Sequence, residues 1–261
     1  MNAAELLGPA TRKVSLQTSC CSGMDAIGQG AELIATGQAD LVIAGGSEAP
    51  LSFHPLLEFN AAELSPTSNE SPDKACRPFD LWRSTGVMGE GAAMFILEPE
   101  TSPRRAYAWL TGYGYSSDAD GMAGSGLFEA IQLALANARR RPQDIEYINA
   151  WGPGHRVIDV NEAGALQRTF GRLLAEIPVT SIKGAIGTAL AASGPMQVAS
   201  TCLSLAGGLL PPTVNWETPD PNCPLNLSAV QRRIPATTAV VDSHGLLGSN
   251  AAVILEKSCP P

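Results

Sequence analysis

The sequence predicts an α/β fold in which short buried strands alternate with amphipathic helices. Apolar runs too short to be helices recur along the chain, most of them bounded by Gly, Pro or Asn. Between them lie longer stretches with apolar residues at three- and four-residue spacing. Of 261 residues, 44% are hydrophobic and only 16% charged, which supplies a large core and leaves little for a fully solvated surface. Part of that surface is therefore expected to be covered by a partner.

The elements follow in order. Residues 14–17 read as a strand and 22–36 as a helix with Met24, Ile27, Ala31 and Ile34 on one face. Residues 39–44 are an apolar run stopped by Gly45 and Gly46, expected as a buried strand of a parallel sheet. Residues 64–80 hold Pro, Ser and Asn without a period, which predicts a long loop of the kind that shapes a site. Residues 92–98 form the next strand. At 99–105 the composition turns to Pro, Glu and Arg, placing a boundary near residue 100 between a part spanning 1–99 and a part spanning 100–261.

Beyond that boundary the alternation resumes with a strand at 107–113 and a helix at 127–140, ended by Arg139, Arg140, Arg141 and Pro142. A strand at 145–150, a helix at 159–174, a short strand at 179–181 and a small-residue helix at 187–205 come next. Two closing strands, 239–242 and 251–256, bracket a Gly-rich turn at 245–250. The other Gly-rich stretch, 121–126, precedes a helix but lacks the Gly-Lys-Ser/Thr of a phosphate-binding loop.

Charge and cysteine usage exclude several function classes. A net charge of -8 argues against nucleic acid, whose binding rests on Lys and Arg. The six cysteines include no CxxC pair and read as reduced thiols. His54, His155 and His244 lie far apart, so no metal site is expected. No run of 18 apolar residues offers a membrane span and no signal peptide opens the chain, which makes a cytoplasmic protein the expectation.

The stretch Thr18-Ser19-Cys20-Cys21-Ser22-Gly23-Met24 places a thiol where the first strand gives way to the first helix. Unpaired amides and the positive end of the helix dipole favour a thiolate there, and the same amides can hold an oxyanion. Cys20 is thus a candidate nucleophile for thioester chemistry. A small buried hydrophobe is the other reading of either cysteine.

These residues carry a resemblance that extends from Cys20 to Glu256. The chain resembles the β-ketoacyl-[acyl-carrier-protein] synthases of fatty acid and type II polyketide synthesis, in the thiolase-like superfamily. Its Thr18-to-Gly23 stretch is similar to the family's nucleophile turn, and Arg77-Pro78-Phe79-Asp80 with Met88-Gly89-Glu90-Gly91-Ala92 to a paired signature. Pro219-Asp220-Pro221 and Gly248-Ser249-Asn250 match its C-terminal segment. The resemblance implies a layered α/β/α/β/α sandwich of two similar halves, dimerised beside the nucleophile. Only 19 residues precede Cys20, so the N-terminal half is expected to be incomplete, with an apolar edge that a separate chain or a longer sequence would cover.

The resemblance also assigns roles. Cys20 would be the acyl acceptor, with its backbone amide and that of Leu246 forming the oxyanion hole. Leu246 stands where the family has a Phe gating the acyl tunnel. Lys183 and Glu90 would be retained as an internal charge network or as catalytic groups. Both catalytic histidines are lost: Trp151 and Thr188 occupy their positions, and neither side chain replaces an imidazole. His155 falls near the expected entry of the substrate's phosphopantetheine arm, where it is a candidate substrate contact. No cofactor is implied, since the substrate arrives on the phosphopantetheine of an acyl carrier protein.

Two readings follow. One is a ketosynthase-like acyltransferase in fatty acid or polyketide biosynthesis, with decarboxylative condensation doubtful. The other is a non-catalytic subunit like a chain-length factor, completing a ketosynthase heterodimer. Either way the expected partners are an acyl carrier protein and a ketosynthase-like chain, in a heterodimer or homodimer.

Overall fold

The computed structural model describes residues 12–119 and 124–258. Helix α1 (Ser22–Ala35) is followed by β1 (Val42–Glu48), α2 (Phe53–Ala61) and β2 (Gly91–Leu97). Next come β3 (Ala108–Ser117), α3 (Leu127–Ala138), β4 (Tyr147–Asn149) and α4 (Arg156–Phe170). They are followed by β5 (Val179–Thr180), the one-turn α5 (Lys183–Ile186) and α6 (Ser193–Gly207). Short strands β6 (Leu209–Leu210) and β7 (Arg232–Arg233) pair with each other, and β8 (Thr238–His244) and β9 (Ser249–Lys257) complete the described elements.

The main sheet has the order β3-β9-β8-β4-β5, antiparallel across β3, β9 and β8 and parallel across β8, β4 and β5. Every residue of β8 and β4 is buried. This is the pattern of strands covered on both faces, whose sequences read as continuous apolar runs. One cover is α3 and α4, which pack Leu127, Ile131, Leu166 and Phe170 onto Ile148, Val240 and Ile254. The other is α1 and α6, which pack Met24, Ile27, Val198 and Leu205 onto Tyr113, Val241 and Val253.

Beyond α1 and α6 lies the antiparallel pair β1–β2, which turns Val42, Ala44, Phe95 and Leu97 toward those helices. The order of layers is thus helix, sheet, helix, sheet. The opposite face of β1–β2 carries Ile43, Met94 and Ile96 at 43%, 59% and 66% exposure. That apolar face is where a fifth layer of the expected sandwich would lie.

Several local expectations are corrected. Residues 14–17 form no ladder, and Val14 is exposed; a strand needs an edge to pair with, and the described residues offer it none. β1 is antiparallel to β2 rather than parallel, and it runs through Gly45 and Gly46 instead of stopping there. A Cβ on Gly45 would stand 2.1 Å from the Ala93 carbonyl oxygen, so that glycine permits close strand approach. α2 was not anticipated from the sequence: Phe53, Leu56 and Leu57 stand at three- and four-residue spacing, but the segment is only nine residues long, carries Pro55 in its first turn, and leaves all three side chains exposed. The small-residue helix begins at Ser193, after a separate turn at α5 and a 3₁₀ turn at Leu190–Ala192. The stretch 121–126 lies partly outside the described residues, as does Cys259.

Candidate active site

Cys20 stands two residues before α1, on a turn tied by its own backbone and side chains. The Cys21 amide donates to Thr18 O at 3.2 Å and the Ser22 amide to Ser19 O at 3.1 Å. Ser22 Oγ donates to Ser19 O at 2.6 Å and accepts from the Thr18 amide at 2.9 Å. Ser19 sits at φ 56°, in the left-handed region that costs a non-glycine residue free energy. The hydroxyls of Thr18 and Tyr113 donate to the two carboxylate oxygens of Asp25, tying the turn to α1 and β3. A Cβ on Gly23 would stand 2.3 Å from Ala191 O, so glycine lets α1 begin against that segment.

The two cysteines part at this turn. Cys21 is fully buried between α1 and the main sheet, with Sγ 3.3 Å from Ser249 O and 3.6 Å from Ser243 Oγ. Cys20 instead lines a cleft together with Trp151, His155, Thr188, His244 and Leu246. Phe59 of α2, Leu64, Met88 and Leu190 make most of the remaining lining apolar.

Burial raises the Cys20 thiol above its ordinary value, and hydrogen bonds from Ser19 and from the Leu246 backbone amide only partly offset it. The expected pull of the helix terminus toward a thiolate is therefore outweighed by desolvation. The Leu246 amide is directed at the sulfur by a tight turn, in which the Gly245 amide donates to Ser249 O at 2.7 Å and the Gly248 amide to Gly245 O at 2.9 Å. A Cβ on Gly245 would lie 3.1 Å from Ser19 Cβ and 3.4 Å from the Cys20 nitrogen. Glycine there allows the two turns to press together.

Behind Trp151 lies a buried polar group. Lys183 Nζ donates to Gln197 Oε1 at 2.6 Å and stands 4.2 Å from the Trp151 ring centroid. Gln197 is held in turn by donating to the carbonyls of Asn149, Ala150 and Asp242. Burial lowers Lys183 to about 7, against the opposing pull of Glu162 and Asp242. Asp242 accepts from the Trp151 amide at 2.7 Å and Glu162 from the Gly152 amide at 2.8 Å. Burial pushes both carboxyls up, Asp242 to about 6 and Glu162 well above its usual range, where the neighbouring Asp242 charge adds to the rise.

The structure brings Cys20, Leu246, Trp151, Thr188 and His155 to one cleft, with Lys183 behind it. It does not bring Glu90, which is exposed and accepts from the Leu51 amide at 3.0 Å. Its carboxylate faces water because β2 begins one residue later, at the edge of the β1–β2 pair; the acids beside Lys183 are Glu162 and Asp242. His155 caps α4: Nδ1 accepts from the amides of Val157 at 3.2 Å and Ile158 at 3.4 Å. Burial and the Arg83 charge hold its pKa below the ordinary value. Thr188 keeps a buried hydroxyl without a partner.

Sequence reasoning missed Gln197, Glu162, Asp242, His244 and the α2 residue Phe59. Polar residues inside otherwise apolar elements were the available signal: Asp242 and His244 close the strand that meets the Gly-rich turn.

The family model for the beta-ketoacyl synthase N-terminal domain matches residues 2–102, and that for the C-terminal domain matches 107–217. The chain belongs to the β-ketoacyl synthase family. It is 39% identical over 260 residues to the tetracenomycin polyketide synthase ketoacyl synthase alpha subunit of Streptomyces glaucescens, covering 96% of this chain and 60% of that protein. It is 37% identical to 3-oxoacyl-[acyl-carrier-protein] synthase 2 of Rhizobium meliloti, over 93% of this chain and 60% of that one. The chain thus spans about 60% of the length of these relatives.

Among solved structures, a type II polyketide synthase acyl-carrier protein in complex with its ketosynthase aligns with TM-score 0.94 and 30% identity, over 98% of this chain and 66% of that one. The ishigamide ketosynthase/chain length factor aligns with TM-score 0.91 and 27% identity, over 98% and 64%. The fold of this β-ketoacyl synthase family member is thiolase-like.

Proposed function

We propose that this chain is a ketosynthase-like acyltransferase, in which Cys20 accepts an acyl group from the phosphopantetheine thioester of an acyl carrier protein in fatty acid or polyketide biosynthesis. The observation that carries the reading is the Cys20 thiol at an apolar cleft with the Leu246 amide directed at its sulfur. Cys20 Sγ bonds to the acyl carbon as the pantetheine sulfur–carbon bond breaks, and the thiol proton passes to the leaving sulfur. The amides of Cys20 and Leu246 are the candidate donors to the oxyanion formed in between. Backbone donors of this kind survive side-chain substitution.

Condensation is a different demand. Trp151 and Thr188 provide no imidazole, and one positioned acid or base contributes roughly 10²- to 10⁴-fold. The acyl group would therefore pass to another acceptor, or to a ketosynthase-like partner that performs the condensation. The exposed face of Ile43, Met94 and Ile96 supports association with such a partner. The named complexes among the similar structures, a ketosynthase with its carrier protein and a ketosynthase/chain length factor, support the same two partners.

The test compares carbon dioxide release from malonyl-carrier thioester by the unmodified chain and by Trp151→His with Thr188→His. The unmodified chain is expected to be slow and the double variant at least about 10²-fold faster, the contribution of a single positioned group. Rapid release by the unmodified chain would contradict the assignment of both positions.

The second reading, a non-catalytic subunit resembling a chain-length factor, is favoured by the same Trp151 and Thr188. Under it, Cys20 stays unmodified, and Cys20→Ala leaves the activity of a reconstituted ketosynthase partner unchanged.

A further inference from the structure

His244 ends β8, and its imidazole, 3% exposed, lines the cleft that holds Cys20. Nδ1 lies 3.0 Å from Oδ1 of Asn250, the residue directly opposite it on β9. The Asn250 amide nitrogen donates to Asp118 Oδ1 at 2.8 Å. Asp118 is itself positioned by accepting from the amides of Gly124 at 3.0 Å and Gly126 at 2.8 Å. Asn250 is thereby oriented with its oxygen toward the histidine. An amide oxygen only accepts, so Nδ1 is the donor, and in the neutral ring that leaves the lone pair on Nε2. Nε2 is buried and has no hydrogen-bond partner.

Two further observations give that lone pair a use. The residue after His244 is Gly245, whose close approach to Ser19 and Cys20 sets β8 against the nucleophile turn. The other imidazole on the cleft has the opposite polarity: His155 Nδ1 accepts backbone amides, which leaves its Nε2 as a donor.

We propose that His244 Nε2 is the base that takes the proton of the Cys20 thiol as the acyl group arrives. The inference rests on the reading of Cys20 as acyl acceptor. The thiol proton moves to Nε2, the Sγ–acyl bond forms, the pantetheine sulfur–carbon bond breaks, and the imidazolium returns the proton to the leaving sulfur. No oxidant or further reactant is needed. The assignment answers a need of the site, since burial raises the Cys20 thiol above its ordinary value and neither Trp151 nor Thr188 can accept its proton.

The test is the rate of Cys20 alkylation by iodoacetamide near neutral pH, followed by peptide mapping, in the unmodified chain, His244→Gln and His244→Leu. Both variants are expected to label Cys20 roughly 10²-fold more slowly, the lower end of a base's contribution. Equal rates would overturn the assignment. If the variants fail to fold, long-range ¹H–¹⁵N spectra of the unmodified chain decide instead. An Nδ1-protonated His244 with an unprotonated Nε2 supports the proposal, and the reverse tautomer overturns it. A His244-dependent alkylation rate with no adduct from acyl-carrier thioester would sink the acyltransferase reading and leave the base assignment standing. An acyl adduct that forms equally fast in His244→Leu would do the opposite.

Discussion

The two antiparallel strand pairs β8–β9 and β1–β2 are alike in sequence and unlike in surroundings. Both carry apolar residues on each face. In β8 every position is buried, between α3 and α4 on one side and α1 and α6 on the other. In β2 Ala93, Phe95 and Leu97 pack inward, whereas Ala92, Met94 and Ile96 are exposed. A strand apolar on both faces is suited to two covers, and β1–β2 has one. Burying a side chain of the size of Ile or Met contributes about 1.5–3 kcal/mol, so Ile43, Met94 and Ile96 hold several kcal/mol available to whatever covers them. The fold is thus held mainly by its main sheet, while the β1–β2 pair has apolar surface left for association.

The sharpest way to break this comparison is to cut a methylene-rich side chain on each side of it. Ile254→Ala, in the covered core of β9, is expected to cost about 2–5 kcal/mol of folding free energy, read as a lowered urea midpoint. Full tolerance of that change would mean that the main sheet is not the stabilising unit.

Lys183 tests the covered half through pH. Its folded-state value is lowered from 10.5 to about 7, so between those values the unfolded chain binds more protons and stability rises with pH. The contribution is complete above 10.5 and is lost as pH falls through 7. Relative to Lys183→Met, the unmodified chain is expected to gain at most about 1.4 kcal/mol per pH unit across that window. Parallel stability profiles for the two proteins would contradict the buried, uncharged lysine.

The smallest effect belongs to the uncovered face. Ile96→Ala is expected to change the stability of the isolated chain by less than about 0.5 kcal/mol, while weakening association with itself or a ketosynthase-like partner in light scattering. A cost matching that of Ile254→Ala would show that the outer face of β1–β2 is already packed.

The contrast also explains what the sequence could and could not convey. The strands and helices of the main sheet were legible because burial on both sides leaves apolar runs and three-and-four spacing. The Cys20 turn was legible from its Cys-Ser-Gly pattern beside a helix start, whereas Leu246 was singled out only by the family resemblance. α2 was not, because nine residues with Pro55 in the first turn give only a short three-and-four pattern, yet its Phe59 reaches the cleft. Glu90 was expected near Lys183 from a motif, but a motif does not say which way a side chain faces at a strand edge. His244 was passed over as one of three scattered histidines. Its setting depends on a cross-strand Asn250 and on Asp118 far back in the chain, contacts that no local pattern carries.

Whether Cys20 takes an acyl group is the claim on which the functional account stands. The direct measurement is peptide-level mass spectrometry after brief incubation with an acyl-carrier thioester, on the unmodified chain and on Cys20→Ala. The account predicts one acyl group on the Cys20 peptide, absent in Cys20→Ala, with Cys21 and Cys76 unmodified because both are buried and, unlike Cys20, neither lines the cleft. An unmodified Cys20 with an otherwise folded chain and a competent carrier thioester, or an acyl group found on Cys21 or Cys76, would contradict it.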